Sequence, residues 1–164
     1  MAELTIPGKT HPLLNNDYAS EWMGIEVLGL ADGHATLRMP LRQEMLNGFG
    51  MAHGGMIFAF GDTAFALACN PAAPAPGGAG DDTGTMTVAS GVDINFIKSA
   101  YRGQVLTAVA NRRASTGRSG IYDVQIYAAD PDAVDLTAAS PSTPAGAGEL
   151  IAEFRGRSRT ISKK

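Results

Sequence analysis

Between Asn47 and Cys69 the chain reads NGFGMAHGGMIFAFGDTAFALAC, and this stretch narrows the possible folds more than any other. Its first half is a glycine-rich turn carrying Asn47 and His53. From about Gly54 it becomes an apolar helix interrupted by one charge, Asp62. A helix that is apolar all round belongs inside a core. A lone carboxylate on it is costly unless it is paired, hydrogen-bonded or used. The apolar run from Met56 to Cys69 is shorter than the roughly 20 residues of a membrane span, so it reads as a buried helix.

Gly54 and Gly55 fall in the first turn of that helix, where backbone N–H groups have no intrahelical acceptor and the dipole favours negative charge. Glycine has no side chain to keep another group from these donors. The turn is therefore a candidate oxyanion hole. Asp62 lies roughly 10 to 12 Å further along the helix at about 1.5 Å per residue. A group acting on the polarised atom must come within about 3 Å of it. One helix cannot supply both partners, but two antiparallel copies across a two-fold axis can. The stretch argues for a homodimer with shared sites, and a dimer of dimers is expected beyond it.

The flanking sequence supplies strands. A short lead-in helix is expected over residues 12–22. Two strand-like runs follow, around the turn Ala31-Asp32-Gly33, and in the second Ala35, Leu37 and Met39 alternate with His34, Thr36 and Arg38. Asn70-Pro71 sets the helix end, because proline disfavours a helical conformation in the residue before it. Strand signals resume at Val92, Ile94 and Phe96, then in QVLTAVANRRA, then after the turn region STGRSG in GIYDVQIYAAD, and finally in ELIAEFRGRSRTI. Two low-complexity stretches, about 71–84 and 131–148, read as loops. At 164 residues one domain spanning 1–164 is expected. Two strands, one long apolar helix and four more strands predict an α+β domain whose antiparallel sheet wraps around one central helix.

The net charge of −3 argues against a nucleic-acid partner. From Lys98 onward there are ten Lys and Arg against six Asp and Glu, an asymmetry better suited to a small phosphate-bearing ligand. The segment MAELTIPGKT has no secretory pattern, no membrane association is expected, and the single Cys69 fits a reducing cytoplasm. His11, His34 and His53 lack metal-ligand spacing, so no metal is expected.

These residues together resemble the hot-dog acyl-CoA thioesterases, in their phenylacetic acid degradation branch. The resemblance rests on Asn47, then His53-Gly54-Gly55, then Asp62-Thr63-Ala64 seven residues after Gly55, with SGIYDV (119–124) and FRGRSR (154–159) as further matches. It covers about residues 22–160 apart from the two loops. It implies that the Gly54 N–H polarises the thioester carbonyl and that Asn47 orients substrate or water. It also implies that Asp62 of the neighbouring protomer acts as nucleophile or general base. His53, Gly55, Thr63, Ser90, Arg118 and Ser119 are expected around the substrate, with Arg118 and Ser119 at the coenzyme A phosphates. No cofactor is needed, since coenzyme A is part of the substrate. Phe58, Phe65 and Phe96 suggest an aryl or arylacetyl group.

Plainer readings stand beside these. A histidine just before a helix is more often a cap than a base, and Cys69 is more often a buried small side chain than a nucleophile. Arg155, Arg157 and Arg159 share one strand face and read equally as a solvated edge. Two alternative functions remain: a hot-dog hydratase or dehydratase using His53 with Asp62, and a non-catalytic acyl-CoA-binding protein.

Overall fold

The computed structural model describes residues 6–72, 84–133 and 146–164, so most of the two expected loops lies outside the described residues. Six strands form one antiparallel sheet: β1 (Glu26–Ala31), β2 (His34–Pro40), β3 (Thr85–Phe96), β4 (Val105–Thr116), β5 (Ser119–Ala129) and β6 (Glu149–Ser162). Their spatial order is β1-β2-β4-β5-β6-β3. A short helix α1 (Tyr18–Met23) precedes them, and the long helix α2 (Gly54–Cys69) lies between β2 and β3 in sequence. This is the hot-dog architecture that the element order predicts.

The alternation in β2 has its expected consequence. Ala35, Leu37 and Met39 are fully buried beneath α2, which lays Ile57, Phe60, Ala64, Phe65 and Leu67 onto the same sheet face. Each large side chain buried this way stabilises the fold by about 1.5–3 kcal/mol. Close approach is secured from the strand side. A β-carbon on Gly156 would sit 2.6 Å from Phe65 Cε2, so glycine in β6 makes room for the ring that then packs edge-on to Tyr122.

The helix ends where Asn70-Pro71 predicts, with Cys69 last and Asn70 as its cap. Asn70 also explains why this end is fixed. Its Nδ2 donates to Ala66 O (3.0 Å) and Thr87 O (2.9 Å), and its Oδ1 accepts from Thr87 N (3.1 Å). Its own carbonyl accepts from Nε2 of the buried His11 (3.1 Å), whose Nδ1 is occupied by Leu13 N–H. One residue thus joins helix, β3 and the N-terminal segment.

Three expectations change. The lead-in helix is two pieces, a 3-10 turn at Pro12–Leu14 and then α1, because Asn16 adopts φ 63° and Asp17 caps a fresh helix by accepting from Ser20 N. The turn region STGRSG shrinks to Gly117-Arg118, since the ladder runs on to Thr116↔Ser119 and Gly117 supplies the positive φ of a tight hairpin. The strand bearing Arg155, Arg157 and Arg159 is not an edge. β6 lies between β5 and β3, and its arginines pair across strands, Arg155 with Asp123 and Arg157 with Asp93, both at 2.6 Å. The sheet wraps around α2 as expected, every strand packing against it, and one helix face stays open: Gly55 and Phe58 are exposed, and Ala59, Asp62, Ala66 and Cys69 half-buried.

The two sheet edges are unequal. Along β1, residues 7–9 cover the edge at Val27 alone, with Lys9 N donating to Val27 O (2.8 Å) and Val27 N to Pro7 O (3.0 Å). No strand lies beyond β3 among the described residues.

Candidate active site

The loop before α2 is built by Asn47. Its Oδ1 accepts from Phe49 N (2.9 Å) and Met51 N (3.2 Å), while its backbone closes the turn through Asn47 N to Met51 O (2.8 Å) and Gly50 N to Asn47 O (3.0 Å). An Asx side chain folded onto its own loop in this way fixes the loop's exit direction. Two further bonds, Ala52 N to Ala100 O and His53 N to Met45 O, both 2.8 Å, deliver the chain to the helix start. His53 is the N-cap, and its Nδ1 accepts from Gly55 N at 3.0 Å. Its proton therefore sits on Nε2 in the neutral ring.

That cap decides which donor remains. Gly55 N–H is taken by His53, and Met56 and Ile57 N–H both reach His53 O. Gly54 N–H has no acceptor among the described residues. Gly54 lines a cavity of about 310 Å³ together with Met51, Ile57, Phe96, Ile97 and Lys98. A single free donor at a positive helix end, in a largely apolar hollow, is suited to stabilising negative charge that develops on an oxygen.

Asp62 lies two turns further along, half-buried on the side of α2 that the sheet leaves open. Among the described residues it makes no hydrogen bond or ion pair. Burial holds its pKa above the usual 3.8, as expected of a carboxylate desolvated without a partner. On the same face, one heptad on, the Cys69 thiol is pushed up to about 12, mainly by burial and in smaller part by the Asp62 charge. A thiol so held is a poor nucleophile.

The remaining expected residues are dispersed. Thr63 turns its hydroxyl to Ser20 Oγ (3.3 Å), which itself donates to Asp17 Oδ2 (2.7 Å), so Thr63 ties α2 to α1. Ser90 sits at the β3 bulge and donates to Arg157 O (3.0 Å). Ser90 and Ser119 line a second cavity, of about 350 Å³, together with Ser115, Thr116, Arg157 and Ser158. Arg118 is exposed at the adjoining hairpin tip. Register puts this group at the far end of α2: Thr87 is tied to Asn70, whereas Phe96 reaches Gly54. The six residue steps of β3 from Ser90 to Phe96 span roughly 20 Å. Of the three aromatic residues expected near the site, Phe96 lines the Gly54 cavity and Phe58 lies on the open helix face against Phe154. Phe65 is 1% exposed and belongs to the core, because Gly156 draws its ring under the sheet. The walls formed by Met51 and Ile97 had no signal in the sequence; only the alternation Val92, Ile94, Phe96 indicated the helix side of β3.

No three His, Cys, Asp or Glu side chains are grouped as metal ligands among the described residues. No helix among them is long and apolar enough to cross a membrane.

A six-stranded antiparallel sheet laid on one long helix, with a bare donor at the helix N-terminus, defines the chain as a hot-dog protein. The sequence profile of the Thioesterase superfamily matches residues 49–134. The acyl-coenzyme A thioesterase PaaI of Escherichia coli strain K12 is 34% identical over 116 residues, 71% of this chain and 75% of that protein. A putative esterase of Archaeoglobus fulgidus is 30% identical over 114 residues, covering 70% and 67%. The solved structure of the E. coli PaaI protein from the phenylacetic acid degradation operon superposes with a TM-score of 0.69 at 30% identity, covering 91% of this chain and 88% of that one. The chain belongs to the Thioesterase superfamily and is a thioesterase.

Proposed function

We propose that the protein hydrolyses acyl-CoA thioesters, with aryl or arylacetyl groups preferred, at sites shared between two copies of the chain. The observation that carries this reading is the Gly54 N–H, a donor without an acceptor among the described residues, at the start of α2 beside an apolar hollow. Attack on a thioester carbonyl places negative charge on its oxygen, and one well-aimed donor stabilises that charge by about 3 kcal/mol. The carboxylate of Asp62 in a second copy, antiparallel to the first, then either attacks the carbonyl carbon or takes a proton from water. Asn47 orients substrate or water through its amide NH2, since its Oδ1 is spent on the loop. With His53 Nδ1 committed to Gly55, the base role falls to Asp62 rather than to His53, which disfavours the hydratase reading.

The unequal edges of the sheet support a homodimer. β1 is covered at Val27 by residues 7–9, and no strand lies beyond β3 among the described residues, so β3 is the freer edge for a second copy to pair with. In such a pair the hairpin of one chain approaches the helix start of the other. Arg118 and Ser119 then meet the coenzyme A phosphates, with Ser90 and Thr63 nearby. A dimer of dimers follows as the working assembly, acting in the cytoplasm without metal or redox cofactor.

The test is thiol release across arylacetyl-, aroyl- and straight-chain acyl-CoA, with crotonyl-CoA hydration assayed in parallel. The reading expects arylacetyl-CoA to give the highest kcat/KM and Asp62→Asn to abolish turnover. Hydration without thiol release, or tight acyl-CoA binding without turnover, would overturn it.

A further inference from the structure

β3 runs antiparallel to α2, and a contact at each end fixes their relative level. Phe96, at the end of the strand, meets Gly54 at the start of the helix, where a β-carbon would lie 3.1 Å from Phe96 Cζ. Thr87, near the start of the strand, is bonded to Asn70 at the helix end. A two-fold axis that carries Asp62 of one copy to Gly54 of the other must pass midway between these residues, at Phe58. Phe58 lies about 6 Å along the helix from Gly54, at about 1.5 Å per residue, and that distance is about two residues of strand. Two residues back from Phe96 stands Ile94.

We infer that two copies pair β3 on β3 with Ile94 on the two-fold axis, and that this register is what brings Asp62 to the partner's Gly54; this rests on the shared-site reading above. Val92 then lies opposite the partner's Phe96, and Asp93 opposite the partner's Asn95. Directly opposite residues share a sheet face, and the strand is patterned for this alignment. Val92 and Ile94 pack against the core and Phe96 meets Gly54 on the same side, so the pair forms one apolar stripe across both strands. An aromatic ring set against a β-branched side chain is a favourable cross-strand pair, and it gives Phe96, 54% exposed in the single chain, a neighbour. Asp93 and Asn95 alternate onto the other face, where Arg157 Nη1 holds Asp93 Oδ2 at 2.6 Å. Centring the pair on Asp93 would set two carboxylates directly opposite each other, which is destabilising. It would also place Phe96 against the partner's Ser90, inside the β3 bulge. Moving the centre by one residue in either direction displaces the partner by two, about 7 Å. That exceeds the roughly 3 Å within which Asp62 must act.

The test is disulfide mapping in the full chain carrying Cys69→Ala, which removes its one native thiol. Asp93→Cys and Asn95→Cys chains are oxidised separately and after co-refolding in equal amounts, and non-reducing gels with peptide mass spectrometry read the cross-links. In either variant alone the new thiol faces its own copy across a diagonal of about 7–8 Å, too far for a disulfide. The mixture should give a 93-to-95 cross-link in about half of its dimers, and the cross-linked dimers should release thiol from acyl-CoA as fast as the reduced mixture. A cross-link in Asp93→Cys alone would centre the pair on Asp93, and one in Asn95→Cys alone on Asn95; either overturns the inference. So does the absence of cross-links from every sample, or a 93-to-95 cross-link that abolishes turnover. If that cross-link forms but the wild-type protein releases no thiol from any acyl-CoA, the hydrolase reading fails while the register stands.

Discussion

Substituting proline for Gly54 isolates the proposed oxyanion donor, because position and backbone both accept it. Gly54 is the first residue of α2, where proline is tolerated since the missing N–H has no intrahelical partner. His53 before it has φ −65° and ψ 131°, within the extended region that a residue preceding proline adopts. The bonds from Met56 N and Ile57 N to His53 O stay intact. The steric term is separable. A new β-carbon meets only the Phe96 ring, 3.1 Å from Cζ, and Gly54→Ala introduces that same β-carbon while keeping the N–H. Alanine therefore measures crowding, and the difference between proline and alanine measures the donor. Loss of one such donor lowers kcat by about 100- to 1,000-fold, or about 2.7–4 kcal/mol. Stability should stay within about 1 kcal/mol of wild type, since proline at a compatible site also restricts the unfolded chain. That corresponds to a Tm change of at most about 4 °C for a chain of this size. The assay is kcat from thiol release on the best acyl-CoA, with Tm on the same preparations. If Gly54→Pro retained the kcat of Gly54→Ala while both stayed folded, the Gly54 N–H would have no part in the chemistry.

Three further outcomes are expected. Gly54→Pro and Asp62→Asn should each be nearly inactive alone, and after co-refolding in equal amounts about half of the dimers are mixed, each with one intact site, so activity returns to about a quarter of wild type; no recovery despite subunit exchange seen by mass spectrometry would place both halves of the site in one chain. The active form of Asp62 is ionised, and burial keeps its pKa above 3.8, so kcat/KM should fall as pH drops through an ionisation above that value; a pH profile flat down to 4 would remove Asp62 from that role. Arg118→Ala should raise KM for the CoA thioester by about five- to tenfold and leave a pantetheine thioester nearly unchanged, and equal losses on the two would make Arg118 a structural residue of the hairpin.

What was legible in the sequence was whatever depends on neighbours along the chain. The period-two burial of Ala35, Leu37 and Met39, the start of α2 at Gly54 and its stop before Pro71 are all local, and the structure has them as expected. The capping role of His53 was legible for the same reason: one side chain reaches two residues ahead. Contacts set by strand order were not. Nothing local says that β6 lies between β5 and β3, so the arginine row read as an edge, although Asp123 and Asp93 wait on the adjacent strands. Nor could spacing show that Thr63 faces Ser20, 43 residues away, or that Asn47 spends its Oδ1 on its own loop. The candidate site divides along the same line. Its candidate residues were visible as types in a pattern, whereas the walls at Met51 and Ile97 exist only after β3 is laid beside the helix start.

The closure of β1 bears on how large an assembly can grow. A sheet with two open edges is a monomer in the polymer chemist's sense, able to add a neighbour on each side without end. Here residues 7–9 act as a chain terminator, and their seat is narrow: Gly8 has φ 96°, and a β-carbon there would lie 2.0 Å from Val27 O. In the proposed pair, joined through β3, the covered Val27 of each copy lies on the outer edge and opposes further addition there. Any side chain at position 8 would unseat the terminator and turn a closed pair into a unit capable of propagation.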